Sequence, residues 1–242
     1  MSGVPIIAEN SNQLESLSVR YPAGNFTKKL EFFESLKNAP NLTRIRLIRL
    51  QNFKLTSLSD CLKDSNGNKL KLPSVTSLDI SGFNQVSPQS TLSDLKGLEC
   101  FTNLQNLTVN YTSKILDISA IKECTNLKEV TLGYNNIQTI SGLEYLNNLQ
   151  ILTLNNNNIS NLKPLENLTN LTSLNLENNT ISDTATYTDT DGSVKTVNNI
   201  NILSNLNKNK NGKLEKLYLN GNDNIVNWSP LSNLTWSAKS GW

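Results

Sequence analysis

One phrase of sequence returns along this chain at a fixed interval. It reads Leu-x-x-Leu-x-Leu-x-x-Asn-x-Ile, and its clearest copies begin at Leu127, Leu149 and Leu171, which are 22 residues apart. A repeat of this length is one supersecondary unit, and it buries its apolar side only when neighbouring copies stack on it. The sequence therefore predicts a solenoid built from successive coils of the chain.

Weaker copies extend the repeat over nearly the whole chain. From the first copy to the last, their starting residues are separated by 28, 33, 29, 23, 22, 22 and 43 residues. The eight copies begin at Leu14, Leu42, Val75, Leu104, Leu127, Leu149, Leu171 and Leu214. We predict a single domain over residues 1–242, with an N-terminal cap at 1–13, repeats at 14–234 and a C-terminal cap or tail at 235–242.

A second apolar row follows the asparagine of each copy and uses every third residue. Its clearest members are Ile137, Ile140, Leu143 and Leu146, and then Ile159, Leu162, Leu165 and Leu168. A step of three suits a 3₁₀ or irregular turn as much as an α-helix. Together the two rows are the signature of leucine-rich repeats. We predict a curved right-handed array of about eight coils, with a parallel β-sheet on the concave side and 3₁₀ or irregular turns on the convex side.

The asparagine of the phrase is expected to be structural. Parallel strands stack about 4.7–4.9 Å apart, so equivalent asparagines should lie above one another where the chain turns inward. A buried amide at that place can bond backbone groups that would otherwise lack partners. The predicted ladder consists of Asn135, Asn157, Asn179 and Asn222.

The 43-residue interval contains an inserted segment. Threonines alternate there up to Asp191-Gly192, a pair that is typical of hairpin turns. We predict a β-hairpin near 186–197, with strands at 186–190 and 193–197 joined by that two-residue turn. Asp189 and Asp191 superficially suggest a calcium loop, but Tyr187 stands at its first acidic position and the closing glutamate is missing. No metal site is therefore predicted.

Composition and charge exclude several functional classes. The net charge is +2, 17% of the residues are charged and no run of 18 apolar residues occurs. Neither a nucleic-acid-binding surface nor a membrane span is therefore predicted. The chain contains no histidine, the usual general base near neutral pH, so we expect no enzyme and no cofactor.

The three cysteines, Cys61, Cys100 and Cys124, cannot all pair with one another and show no metal-ligand spacing. Cys124 takes a core position that other copies fill with leucine, so buried free thiols are expected. This usage disfavours a disulfide-stapled extracellular receptor. It is compatible with a bacterial surface or an intracellular location.

One repeat junction resembles the internalin family of bacterial surface proteins. It reads Asn161-Leu162-Lys163-Pro164-Leu165-Glu166-Asn167-Leu168-Thr169-Asn170-Leu171, and residues 227–234 echo it. The resemblance to the 22-residue repeat class is good from about 126 to 179 and holds elsewhere in outline. It implies a curved solenoid that binds another protein through its concave face, on a secreted or wall-attached chain.

The arginines have an uneven distribution. All four lie on the first two predicted strands or at their ends. Arg44 and Arg46 alternate with apolar residues and should point outward from the sheet, and Arg20 and Arg49 flank them. Like charges at this spacing repel modestly, which favours either solvated positions or an acidic partner. Both interpretations stay open.

Aromatic residues mark a second region of the same face. Tyr111 and Tyr134 hold the same position on consecutive coils and are expected to stack, with Phe83 nearby on the preceding coil. Exposed tyrosine and arginine on rigid strands are typical anchors of protein interfaces. The same row also suits a glycan, and simple packing between strands is the plainer interpretation for each tyrosine.

These observations predict a non-enzymatic module that binds a partner protein, of acidic character, through its concave face. The predicted contact residues are Arg20, Arg44, Arg46, Arg49, Phe83, Tyr111 and Tyr134. The alternatives are a carbohydrate-binding solenoid and a structural spacer within a larger surface protein. We expect a piece of a longer chain that is secreted by a bacterium or held on its surface, with the cytoplasm as the alternative location.

Overall fold

A computed structural model describes residues 7–20, 29–48, 56–60, 62–82 and 92–240. Eleven strands and three α-helices lie in these ranges. The strands are β1 Ser16–Arg20, β2 Arg44–Ile48, β3 Ser77–Asp79, β4 Asn106–Thr108, β5 Glu129–Thr131, β6 Ile151–Thr153, β7 Ser173–Asn175, β8 Thr184–Thr188, β9 Val194–Asn198, β10 Lys216–Tyr218 and β11 Ala238–Ser240. The helices are α1 Lys29–Ser35, α2 Asn199–Leu206 and α3 Ser229–Ser232.

Nine of these strands form one parallel sheet, in the order β1-β2-β3-β4-β5-β6-β7-β10-β11. Eight of them fall on the eight predicted copies of the repeat, so the predicted stack of coils is confirmed. The ninth, β11, extends the sheet with residues of the predicted C-terminal tail. We name each coil by the first residue of its copy, for example the Leu104 coil.

The core follows from the alternation of side chains along each strand, which sends every second residue inward. The central inward residues of β2 to β7 and β10 are in register and at most 2% exposed. They are Ile45, Leu78, Leu107, Val130, Leu152, Leu174 and Leu217. The five side chains from Leu78 to Leu174 are therefore each covered by their equivalents on the two neighbouring coils.

The return side of the solenoid is made of short turns rather than long helices. Six 3₁₀ turns in the described ranges occupy Leu36–Asn38, Leu58–Asp60, Leu98–Cys100, Ser119–Glu123, Leu143–Tyr145 and Lys163–Leu165. The second apolar row is buried behind them, as at Ile140, Leu143 and Leu146. The predicted step of three therefore describes this side correctly, because residues three apart share a face of a 3₁₀ turn.

The asparagines of the phrase bond across neighbouring coils. The Nδ2 amide of Asn157 donates to the carbonyls of Leu132 (2.9 Å) and Leu154 (3.0 Å), and its Oδ1 accepts from the Ile137 N–H (3.0 Å). Asn179 and Asn222 make equivalent bonds, with all distances between 2.8 and 3.1 Å. Each side chain thus satisfies backbone groups of two coils while lying at most 7% exposed.

The inserted hairpin β8–β9 pairs Thr184 with Asn198 and Thr188 with Val194. Its turn differs from the predicted two-residue turn. The Asp189 N–H still reaches the Ser193 carbonyl (2.8 Å), so residues 190–192 form a three-residue loop. Gly192 takes a left-handed φ of 81° and donates its N–H to the Asp189 carbonyl (2.9 Å). A turn of this kind needs one residue more than the Asp-Gly pair alone suggests.

Helix α2 follows the hairpin and was not predicted. The Oδ1 of Asn198 caps it by accepting the Asn201 N–H at 2.8 Å. Its buried residues Ile200, Leu203 and Leu206 repeat the step of three that we assigned to tighter turns, which is why the pattern alone did not reveal the helix. Its first residue, Asn199, is fully buried and bonds Leu162, Ser160 and Ser182, so it fastens the insertion to the coils before it.

The ladder makes a prediction about stability. Asn157→Ala leaves two buried carbonyls and one buried N–H without the partner described above, at about 1–3 kcal/mol for each unsatisfied group. We therefore expect its free energy of unfolding, from urea denaturation followed by circular dichroism, to fall by about 2–4 kcal/mol. The neighbouring Asn158 is exposed, and Asn158→Ala should change it by less than about 0.5 kcal/mol. Equal effects of the two variants would contradict a structural role for the ladder.

Candidate recognition surface

The outward side chains of the nine-stranded sheet form one continuous surface, which we call the strand face. Its members among the described residues are Ser16, Ser18, Arg44, Arg46, Ser77, Asp79, Asn106, Thr108, Glu129, Thr131, Ile151, Thr153, Ser173, Asn175, Lys216, Tyr218, Ala238 and Ser240. Most of them are uncharged hydroxyl or amide side chains. The strand face is thus polar, with charge concentrated at a few positions.

The two arginines of β2 lie on this face and are exposed. Arg46 donates from Nε to Oδ2 of Asp79 on the adjacent strand, at 3.0 Å. The other carboxylate oxygen of Asp79 accepts the N–H (3.1 Å) and the hydroxyl (2.7 Å) of Ser81. An ion pair whose arginine is 56% exposed contributes little stability. It places the Arg46 guanidinium against the Asp79 carboxylate.

The other predicted contact residues on this side of the sheet are Arg44, Arg20, Arg49 and Phe83, and the structure describes only the first two. Arg44 stands two residues before Arg46 on the same face, and within the described part of the chain it forms no ion pair. Arg20 is the last residue of β1, with its backbone in register with Ile48. Arg49 and Phe83 lie outside the described residues. The structure therefore brings two of the four arginines together.

The rings of Tyr111 and Tyr134 stack, with centroids 4.6 Å apart and planes inclined by 18°. Both residues lie just beyond their strands, in the left-handed conformation with φ of 58°. The equivalent place on the following coils holds Asn156, Asn178 and Gly221, also with positive φ. Asparagine and glycine adopt this conformation readily, whereas a tyrosine there is strained by about 1–3 kcal/mol. Two adjacent coils thus carry a bulky residue where the fold favours a small one.

The Leu104 coil also departs from the asparagine ladder. Thr112 stands at the ladder position, and its N–H (2.8 Å) and hydroxyl (2.6 Å) both donate to Oδ1 of Asn135. Two side-chain oxygens close to Tyr111, Oδ1 of Asn110 and Oγ of Ser113, are buried without a hydrogen-bond partner. Ser113 has a positive φ of 47° as well. Buried oxygens without hydrogen-bond partners and strained backbone conformations are therefore concentrated around Tyr111.

The other groups with potential chemistry are engaged in the fold. Burial raises the pKa of the Cys100 thiol to about 11 and that of Cys124 to about 12, so neither is a nucleophile near neutral pH. Cys61 lies outside the described residues. Asp189 contacts the Lys195 ammonium, and Asp191 accepts from Ser193. Across the described ranges, no three His, Cys, Asp or Glu side chains converge as metal ligands would.

Comparison with known proteins places this geometry in a structural class. Residues 147–188 match the family model described as leucine-rich repeats in two copies. Internalin C2 of Listeria monocytogenes superposes with a TM-score of 0.65 over 95% of this chain and 82% of its own, at 24% sequence identity. The chain has the leucine-rich-repeat fold. Its strand face is therefore the concave side of a horseshoe-shaped array.

A second solved structure supports the same architecture. An internalin from Listeria monocytogenes, InlF, superposes with a TM-score of 0.61 at 19% sequence identity. The superposition covers 96% of this chain and 62% of the InlF chain. Among curated proteins, none has a significantly similar sequence. In the described ranges, no helix has the length and apolar character needed to cross a membrane. The chain is thus similar in structure to Listeria internalins over most of its length.

The tyrosine stack makes a prediction about pH. Burial, and then the proximity of Tyr134, raises the pKa of the Tyr111 phenol above its ordinary value of about 10. A raised folded-state pKa gives stability that is present below the unfolded value and is lost as pH rises through the folded value. We expect Tyr111→Phe to flatten the fall of unfolding free energy above pH ~10. Urea denaturation at several pH values measures this slope.

Tyr145→Phe is the matched control, because this ring is 55% exposed in the Leu143–Tyr145 turn on the return side. An ultraviolet absorbance titration of both variants assigns the late-titrating phenol. If the two variants lose the same part of the titration curve, the proposed environment of Tyr111 is wrong.

Proposed function

We propose that this leucine-rich-repeat domain binds a partner protein through its strand face and that it catalyses no reaction. Leucine-rich repeats commonly build extended concave binding surfaces, and the internalin-like fold is typically non-catalytic. The observation that carries the proposal is the strained pair Tyr111 and Tyr134, stacked 4.6 Å apart on the rim of that surface. Strain at a position where asparagine or glycine would serve is a sign of selection for function.

Preorganisation of the anchors supports the proposal. Binding normally loses free energy through the immobilisation of flexible side chains, at about 0.5–1.5 kcal/mol for each. The tyrosine rings already stack on each other, and the Arg46 guanidinium already contacts Asp79, so both interactions restrict these side chains before binding. Tyrosine and arginine are also the residue types most enriched among energetic hot spots of interfaces. These residues can therefore contribute contact area with little further ordering.

The proposed partner has acidic character where it meets β2. Arg44 and Arg46 are exposed on neighbouring positions of one face, and a carboxylate on the partner offsets their mutual repulsion. Asp79 already offsets part of the Arg46 charge. The preference for acidic groups is therefore a local property of this end of the strand face, and apart from Glu129 and Lys216 the rest of the face mainly offers uncharged side chains.

The arginine part of the proposal is tested by a double variant that leaves the fold unchanged. Arg44→Ser and Arg46→Ser give β2 the outward residues that β1 carries at the same register, Ser16 and Ser18. We expect a partner isolated with the wild-type domain to bind the variant about tenfold or more weakly, with a smaller loss of affinity at high salt. Surface plasmon resonance at two salt concentrations measures both effects.

A control with the same charge change lies away from the strand face. Lys71→Ser with Lys208→Ser removes two exposed positive charges and should leave the affinity and its salt dependence unchanged. If the arginine variant binds as tightly as wild type, Arg44 and Arg46 do not belong to the site. If control and arginine variants weaken binding equally, general electrostatic attraction explains the effect.

Glycan binding is the second candidate function. A sugar ring stacks on an aromatic face, and its hydroxyls bond amide and hydroxyl side chains such as those of Asn106, Thr108 and Thr131. Tyr111 and Tyr134 lie next to this uncharged part of the strand face. A structural spacer within a larger surface protein is the remaining alternative, and it requires no ligand.

A glycan array separates these alternatives. Tyr111→Asn with Tyr134→Asn gives both coils the residue found at Asn156 and Asn178, so the variant should fold with wild-type stability or better. If the surface is a glycan site, array signals of the wild type should disappear in this variant and persist in Tyr145→Asn. Signals that survive the double variant would exclude the tyrosine stack as the glycan site.

For the location, we propose a bacterium that secretes this chain or holds it on its surface as part of a longer protein. The structural similarity to internalins supports this location. Fractionation of the source cells with an antibody against the domain tests it, and recovery only from the cytoplasm would contradict it.

A further inference from the structure

A groove of about 450 Å³ lies on the return side of the solenoid, between the Val75 and Leu104 coils. It is separate from the strand face, because its walls come from the segments that follow β3 and β4. We call it the lysine groove and define it by Lys96, Lys114, Leu116, Lys122, Asp94 and Asp117. Leu116 is 49% exposed there, which is unusual for a large aliphatic side chain of this protein.

The repeat provides an internal comparison for this groove. Buried Ile115 and Ile121 correspond to Ile137 and Leu143 of the next coil, and the backbone bridge between Asp117 and Thr139 fixes the same register. The Leu127 coil therefore carries Asn136, Gln138 and Glu144 where the Leu104 coil carries Lys114, Leu116 and Lys122. At three equivalent positions, neutral or acidic residues are replaced by two cations and an apolar side chain.

The two aspartates of the groove are already held by the fold. Oδ1 of Asp94 accepts the Ser57 hydroxyl (2.7 Å) and the Lys96 N–H (2.9 Å). Asp117 accepts the N–H (2.8 Å) and the hydroxyl (3.0 Å) of Ser119.

The lysine ammonium groups, in contrast, remain unpaired. Within the described ranges, Lys96, Lys114 and Lys122 form no ion pair, although six other ion pairs are present there. Three lysines therefore line the groove together with the exposed Leu116, and in the described ranges none of their ammonium groups forms an ion pair.

We propose that the lysine groove binds an acidic peptide segment of a partner protein, in which a carboxylate stands beside an aliphatic side chain. The carboxylate would bond the lysine ammonium groups, and the aliphatic group would cover Leu116. Two carboxylates in the walls disfavour a polyphosphate such as nucleic acid, which needs a stronger positive excess. The groove shares Lys96 and Ala120 with an adjoining depression of about 540 Å³, so an extended segment fits better than a small molecule. This depression is lined by Glu99 and Glu123 as well as by lysines, so the acidic part of the segment belongs in the lysine groove itself.

The test uses the next coil as its template. Lys114→Asn, Leu116→Gln and Lys122→Glu together give the Leu104 coil the residues of the Leu127 coil, so the triple variant is compatible with the fold. The probe is a fluorescent peptide of alternating glutamate and leucine, with a glutamine and leucine peptide for comparison. By fluorescence anisotropy we expect the triple variant to bind the acidic peptide about tenfold or more weakly, and added salt to weaken wild-type binding.

The variant Lys71→Ser with Lys208→Ser, which removes two exposed lysines outside both surfaces, is the control and should bind the acidic peptide as tightly as wild type. Loss of binding in the strand-face variant Arg44→Ser with Arg46→Ser, with retention in the triple variant, would place the acidic peptide on the strand face and overturn the proposal. Equal binding of the glutamate and glutamine peptides would also overturn it. Because the two surfaces carry separate variants, failure of one proposal leaves the other to be judged on its own result.

Discussion

Hydrogen bonding between consecutive coils is the constraint on which the rest of this structure depends. At each inward turn the chain buries backbone groups that water cannot reach, and the amide of a residue such as Asn157 is their partner. The aliphatic rows impose the same dependence, because each leucine is covered by the coils on both sides. A coil that satisfies both requirements has little freedom left, and the strand face consequently is a rigid surface.

The asparagine ladder is interrupted in the Leu104 coil, which contributes residues to both proposed sites. The amide ladder begins at Asn135, and the preceding coil has Thr112 in its place, with strained Tyr111 before it and the buried, unpaired Ser113 hydroxyl after it. Proteins that obey local rules elsewhere tend to break them at functional positions. The regular coils after Asn135 thus hold an irregular neighbour in place, and that neighbour carries the unusual side chains.

The sequence was sufficient for features that depend on period alone. The order of the strands, the outward positions of Arg44 and Arg46 and the stacking of Tyr111 on Tyr134 all follow from counting along the repeat. Features that depend on contacts between dissimilar segments did not follow. The Arg46–Asp79 pair joins residues 33 positions apart across an interval of irregular length. β11 lacks the leucine repeat from which the other strands of the sheet were predicted. Helix α2 has the same step of three as the turns it replaces, so only the cap at Asn198 distinguishes it.

The two proposed surfaces are physically close although they face different ways. The Leu104 coil contributes Tyr111 to the rim of the strand face and, three and five residues later, Lys114 and Leu116 to the lysine groove. These residues lie on the flank of the solenoid, where the chain passes from the sheet to the return side. A partner with an acidic, partly aliphatic segment can therefore cover the tyrosine stack and continue around the flank into the groove. Once such a partner is bound at one surface, its other segment is at high effective concentration near the second surface. The overall affinity is then higher than the affinity of either surface for its segment alone.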